Sequence, residues 1–157
     1  MKYVIALFLC LTIPAVMFAA DEQPSFKVVY DGGSLPNAKA GTKLHLFVDS
    51  TTVRIADEKA DIANIQASTI TEVSYGQDVH RRVGAAIGLA VVSLGIGALM
   101  ALTKSKKHFV GLTWADGDKK GGFTMQCDKN HFRGVLAALE GVSGKKAVNS
   151  DAMTVKN

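Results

Sequence analysis

The residues best suited to metal binding or nucleophilic chemistry are four histidines and one cysteine that lie beyond the first twenty residues. These are His45, His80, His108, His131 and Cys127. Cys127 and His131 are four residues apart, a spacing that could present a thiolate and an imidazole to one metal ion. Zinc takes four ligands, or three and a water, and no second pair lies near them in sequence. No orienting third group accompanies them either, so we predict no metal site, no catalytic residue and no enzymatic activity.

Two further polar patterns also fail to predict a ligand site. Asp57, Glu58 and Asp61 offer oxygen ligands, but their spacing matches no calcium-binding loop, so we expect a solvated loop. The stretches Asp31-Gly32-Gly33 and Lys120-Gly121-Gly122 lack the spacing of phosphate-binding loops and are predicted turns. The sequence therefore predicts no cofactor.

The most suggestive charged feature is a pair of basic clusters on either side of an apolar run. Arg81 and Arg82 precede the run, and Lys104, Lys106 and Lys107 follow it. Lys and Arg beside a membrane segment attract anionic headgroups by about 1 kcal/mol each. We assign these five residues to a membrane surface. The alternative is the ordinary basic flanking of a membrane segment.

The apolar run, residues 83–103, contains no charged residue. As a helix it would span about 31 Å, close to the roughly 30 Å hydrocarbon core of a bilayer. Three interpretations stay open. They are a single transmembrane helix, a re-entrant hairpin bent at Gly95-Ile96-Gly97, and a buried helix of a soluble fold.

Small residues recur within the run at helical spacing. On a helical wheel Gly84, Gly88, Gly95 and Ala98 fall within about 80° of one another. Such a stripe lets a second helix approach closely, so it predicts a helix-packing face and a homo-oligomer. The alternative is that these residues merely fill a membrane helix.

The first twenty residues are predicted to form a secretory signal peptide. Lys2 supplies a positive charge, an apolar stretch follows, and Ala19-Ala20 precede a polar segment. An uncleaved N-terminal anchor is the alternative. Without residues 1–20 the chain carries 17 Lys and Arg against 14 Asp and Glu, an excess too small to predict nucleic-acid binding. Only Cys127 is then left, so no internal disulfide can form.

Outside the apolar run, hydrophobic residues alternate as in short β-strands. Five strands are predicted before the run, within residues 26–30, 44–48, 53–56, 62–67 and 70–75. Two more, 108–114 and 122–127, flank the hairpin turn Asp116-Gly117-Asp118. A helix with an apolar stripe then starts after Asp128 or Asn130 and stops at Gly141 or Gly144. The predicted class is mainly β, with a C-terminal amphipathic helix.

This order resembles the pleckstrin-homology-like (PH-like) fold, including GRAM and bacterial PH-like domains. The resemblance is carried by residues 41–48, 65–75 and 109–139, and as a whole it covers about two-thirds of the chain without its signal. It implies a partly open antiparallel barrel of about seven strands, closed by the C-terminal helix. Many lipid-binding PH domains carry interleaved Lys and Arg around their first hairpin, and PH domains usually have a Trp in the closing helix. Here only Lys39 and Lys43 lie near the first hairpin, and the single tryptophan, Trp114, lies in a predicted strand. The lipid-binding activity of the family is therefore not carried over to this chain.

These patterns together predict a domain layout. Residues 1–20 are the signal, 21–82 the N-terminal β part, 83–103 the membrane segment, 104–144 the C-terminal strands and helix, and 145–157 a frayed polar tail. One barrel requires both β parts on the same side of the membrane, whereas a single span would separate them.

The predicted function is a non-enzymatic, membrane-associated binding or scaffold module of PH-like fold. Its expected partners are the lipid bilayer and either a protein or a second copy, but no nucleic acid. We expect an exported protein whose barrel lies on the extracytoplasmic side. The alternative is a structural membrane protein that oligomerises through its glycine-rich helix.

Overall fold

The computed structural model describes residues 24–88 and 107–153, which form one sheet and two α-helices. The strands are β1 (Ser25–Gly33), β2 (Lys43–Val48), β3 (Thr52–Ala56), β4 (Asp61–Gln66), β5 (Ile70–Tyr75), β6 (His108–Asp116), β7 (Lys119–Cys127) and β8 (Val148–Asn149). The helices are α1 (Val79–Ala86) and α2 (Phe132–Ser143), with short 3-10 turns at Ala67–Thr69 and Asp151–Met153.

The eight strands form one open sheet in the order β4-β3-β2-β1-β7-β6-β5-β8. Consecutive strands pair antiparallel within β1–β4 and within β5–β7, and β1 joins the two groups by pairing antiparallel with β7. Only β8 is parallel to its neighbour, β5. The predicted mainly β, antiparallel class with a C-terminal helix is confirmed, with an eighth strand that the sequence did not predict.

The hydrophobic core is shared by the segments on both sides of residues 89–106. Leu46 and Val73 come from the N-terminal side, and Phe123 and Leu139 from the C-terminal side, and all four lie in one cluster of buried side chains. Helix α2 covers this cluster through its apolar stripe. Neither side alone would bury a comparable apolar surface, so the two segments fold as one unit.

Strand β1 is longer than predicted. Asp31, Gly32 and Gly33 do not form a turn but continue the strand, with a bulge between Tyr30 and Gly32 in the pairing with β7. At Gly33, φ is +134°, and an added Cβ would lie 2.3 Å from the carbonyl oxygen of Gly122. Glycine is therefore required here for both conformation and space.

Helix α2 starts without the predicted side-chain cap. It begins at Phe132, and His131 precedes it without a capping hydrogen bond from its side chain. The Asp128 carbonyl oxygen accepts the Phe132 N–H at 2.9 Å, while its carboxylate accepts the Asn130 N–H at 2.8 Å. The predicted stop at Gly144 is confirmed, since Gly144 adopts φ +65° and donates its N–H to the Glu140 carbonyl oxygen.

The C-terminal segment folds back onto the sheet instead of fraying from Lys145 onward. Strand β8 pairs with Ser74 and Tyr75 of β5, and the Ala147 N–H donates to the Glu140 carboxylate at 2.6 Å. Ser150 donates both its N–H and its hydroxyl to the Tyr75 carbonyl oxygen. The polar composition of this tail thus supplies hydrogen bonds to an otherwise unpaired strand edge.

Several sequence-based predictions lie outside the described residues. They are the signal peptide, most of the apolar run, and the site residues Gly95, Ala98, Lys104 and Lys106. In residues 24–88 and 107–153, no helix has the length and apolar character needed to cross a membrane.

Candidate functional site

Helix α1 lies on the face of the sheet opposite α2; we call this the outer face, and the face under α2 the inner face. Alternation along β6 directs Val110 and Leu112 into the inner core and Phe109 to the outer face. Phe109 packs with Val79 and Val83 of α1 in a second, smaller cluster of buried side chains. The predicted boundary of the apolar run at residue 83 therefore falls inside a helix that packs on the domain.

Two glycines let α1 approach the sheet. A Cβ on Gly111 would lie 2.4 Å from the Val79 side chain and 2.7 Å from the Val83 side chain. A Cβ on Gly122 would lie 3.1 Å from the Ile87 side chain at the far end of the helix. The contact between helix and sheet is thus made against bare backbone, which a larger residue at Gly111 would prevent.

An ion pair fixes α1 to strand β5. Arg82 donates to both carboxylate oxygens of Glu72, from Nε at 2.6 Å and from a terminal nitrogen at 2.7 Å. Hydrogen bonding to the Glu72 carboxylate raises the pKa of Arg82. Such a two-point contact holds a planar guanidinium in one orientation. Arg82, one of the predicted membrane-surface residues, is therefore engaged with the sheet.

A second contact ties α1 to the bulged end of β1. The largely buried carboxylate of Asp31 lies 2.7 Å from His80 Nε2, an electrostatic contact that lacks the alignment of a hydrogen bond. The His80 ring also meets Phe109 edge-on, with 5.1 Å between ring centroids. These contacts join α1 to the end of β1 and to β6.

The N-terminal end of α1 is where three parts of the chain meet. The Asp151 carboxylate accepts the backbone N–H groups of Gln77 and Asp78, at 2.6 and 3.2 Å. The Gln77 side chain donates to the carbonyl oxygen of Lys107, where the described chain resumes. The tail, the start of α1 and the first residue before β6 are therefore linked by direct hydrogen bonds.

The structure places the other predicted site residues as follows. Arg81 is exposed on α1, and Lys107 is half-buried beside Gln77. Gly84 is half-buried within α1, whereas Gly88 lies beyond its end with φ +68°. Helix α1 therefore ends before Gly88, whose left-handed conformation does not continue a regular helix.

Cys127 and His131 do not form a reactive pair. The thiol is buried in the inner core, and this burial raises the pKa of Cys127 to about 12. The side chain of His131 is 63% exposed. Across residues 24–88 and 107–153, no group of three or more His, Cys, Asp and Glu side chains is placed to hold a metal ion.

The acidic loop between β3 and β4 is held by its own backbone. Asp57 accepts the N–H groups of Lys59 and Ala60, which lowers the pKa of Asp57. Asp61 pairs with Arg54 at 2.9 Å. These contacts explain the loop's conformation without a bound cation, in line with the predicted solvated loop.

Sequence reasoning missed the contacts between α1 and the sheet, which involve Glu72, Asp31 and Gly111 on the strands and His80 on the helix. One usable signal was Gly111, because a glycine inside an otherwise regular strand often marks close approach of another element.

Comparison with known protein families finds no family that matches the chain, and comparison with curated proteins finds no match.

Proposed function

We propose that this chain is a non-enzymatic, membrane-associated binding module of PH-like fold. The strand order supports this, because a four-stranded meander β1–β4 is followed by a three-stranded meander β5–β7. Helix α2 follows the last long strand and contributes Val135 and Leu139 to the inner core. A helix that closes a seven-stranded antiparallel framework is the arrangement that the sequence resemblance implies.

Membrane attachment is supported by where the apolar run is inserted. It lies between β5 and β6, which pair with each other directly; Tyr75 faces Val110 in the register. A single bilayer crossing would place these two strands in different compartments. The pairing of β5 with β6 is the observation on which the proposal rests, because it favours a segment that enters lipid and returns to the same domain.

The first experiment separates the apolar segment from the domain. Residues 89–106 are replaced by a Gly/Ser linker, which leaves Val83 and Ile87 in place because both pack on the sheet. We expect the full chain to float with phosphatidylcholine vesicles, and the linker variant to stay in solution and still unfold cooperatively on heating. Flotation of the linker variant, or its aggregation, would contradict the proposal.

The second experiment tests whether both β parts share one side of the membrane. Cys127 is unsuitable for labelling, since its thiol is buried. Cysteines are instead introduced singly at the exposed positions Thr51 and Ala137, with Cys10 and Cys127 changed to Ser. A membrane-impermeant maleimide should label both positions from the same side of sealed vesicles. Labelling from opposite sides would rule out one folded domain.

A further inference from the structure

We propose that the outer face carrying α1 lies against the bilayer surface and meets the anionic headgroups of the membrane that holds the apolar segment. This inference rests on the proposed function and gives the domain an orientation. It follows from three features of the described residues: the ion pairing around α1, the exposed cations, and the side chains on the helix surface.

The first feature is that three acids beside α1 already contact polar groups of the domain. Glu72 binds Arg82 through two hydrogen bonds, and Asp31 faces His80 at 2.7 Å. At the N-terminal end, Asp151 accepts two backbone N–H groups. A carboxylate with a cationic or N–H partner repels an anionic headgroup less than a solvated one, so this face accepts a negatively charged surface.

The second feature is the presence of exposed cations on the same face. Arg81 is exposed on α1. Lys120 is exposed on β7, two residues before Gly122, so it shares the outer face that Gly122 presents to Ile87. Cations near an anionic lipid surface are attracted to it.

The third feature is the small size of the exposed residues on α1. Ala85 and Ala86 are exposed, and the chain leaves the helix through Ile87 and Gly88 toward the apolar segment. No long polar side chain at these four positions would hold the helix away from a bilayer. The surface is thus continuous with the point where the chain departs.

The β3–β4 side of the domain fits a membrane less well. The loop between β3 and β4 exposes Glu58 and Asp61, and Asp57 lies beside them. Three carboxylates against one lysine, Lys59, and one arginine, Arg54, would meet anionic lipids unfavourably. The exposed side of α2 is the competing surface, since Lys129 and Arg133 are exposed there and Ala137 is exposed as Ala85 is on α1.

The test uses an environment-sensitive fluorophore on the full chain in vesicles. A cysteine is introduced at Ala85 in one variant and at Ala137 in the matched control, with Cys10 and Cys127 changed to Ser. In vesicles of phosphatidylcholine with phosphatidylglycerol, we expect a blue shift at Ala85 and none at Ala137. The shift at Ala85 should shrink in pure phosphatidylcholine and at high salt.

Charge reversal identifies the groups responsible. Arg81→Glu combined with Lys120→Glu should remove the phosphatidylglycerol-dependent part of the Ala85 shift, whereas Lys59→Glu should leave it unchanged. A vesicle-bound protein with a shift at Ala137, or with none at either position, overturns the orientation but leaves the proposed function intact. Failure of the full chain to bind vesicles at all overturns the proposed function itself.

Discussion

The two faces of the β5–β6–β7 half are covered by helices in different ways. On the inner face, α2 packs with large buried side chains such as Phe123, Leu112 and Met125. On the outer face, α1 is only eight residues long and meets Gly111 and Gly122, with an ion pair at its side. The inner contact depends on apolar volume, and the outer contact depends on close approach and charge.

This difference indicates that the two layers contribute unequally to stability. Burial of large apolar side chains contributes about 1.5–3 kcal/mol each, whereas exposed or half-exposed ion pairs contribute about 1 kcal/mol or less. We therefore expect the sheet and α2 to unfold together, while α1 can open from the outer face at lower free energy.

The largest effect is expected from the inner face. Phe123→Ala removes a fully buried ring that packs near Tyr30 and Trp114, so it should lower the free energy of unfolding by about 3–5 kcal/mol. Urea denaturation measures this loss. Phe47→Ala, on a half-exposed ring under Arg54, is the control and should cost about 1 kcal/mol. An equal loss of unfolding free energy in Phe123→Ala and Phe47→Ala would contradict the larger contribution assigned to the inner face.

The buried thiol gives the inner face a dependence on alkaline pH. Burial raises the pKa of Cys127 from 9.0 to about 12, so below pH 9 the thiol is protonated in both states and contributes no pH dependence. Between pH 9 and 12 the unfolded chain loses this proton first, and stability should fall by about 1.4 kcal/mol per pH unit. Urea denaturation at pH 8, 9.5 and 10.5 would measure the free energy of unfolding. We expect it to fall more steeply with pH in the unmodified chain than in Cys127→Ala. An identical slope in the variant would contradict burial of the thiol.

An intermediate effect is expected where α1 contacts strand β6. Gly111→Ala places a Cβ against Val79 and Val83, and such overpacking costs about 1–3 kcal/mol. Hydrogen exchange should speed up in residues 79–86 more than in residues 132–143. The control is Gly141→Ala in α2, where an added Cβ meets nothing within 4 Å and should stabilise by up to about 1 kcal/mol. An equal loss of hydrogen-exchange protection in both helices of the Gly111 variant would show that α1 does not open independently of α2.

The smallest effect is expected at the start of α1. Asp151→Ala removes the acceptor of the Gln77 and Asp78 N–H groups and should cost about 1 kcal/mol. Asp151→Asn keeps an oxygen acceptor and should retain most of that stability. Thermal unfolding compares the three proteins. A full loss in the Asn variant would mean that charge, and not hydrogen bonding, is the main contribution.

The inner face could be predicted from the sequence because its signal is periodic. Phe123, Met125 and Cys127 alternate with smaller or polar residues, and the Asp116-Gly117-Asp118 turn fixes their register with β6. The apolar stripe of α2 and its Gly144 stop are equally local signals. These elements were found because each is encoded within about twelve consecutive residues.

The outer face could not be predicted in the same way. Gly111 and Thr124 read as solvent-facing residues of a one-sided sheet, yet both are buried. Glu72 and Arg82 are ten residues apart, and Asp151 meets Gln77 across 74 residues of sequence. Contacts of this kind form only in the assembled sheet, so no local sequence pattern predicts them. The predicted membrane-surface residues were chosen because they flank the apolar run, and that pattern gives no sign of the ion pair between Arg82 and Glu72.

The direct pairing of Tyr75 with Val110 has a consequence for how freely this protein can vary. Two antiparallel neighbours can be joined by a short connection, so residues 89–106, which follow the packed helix α1, are not needed to join the strands. Doubling the length of such a connection costs only about 0.6 kcal/mol. Residues 89–106 can therefore be exchanged for another segment without a change to the core of the domain.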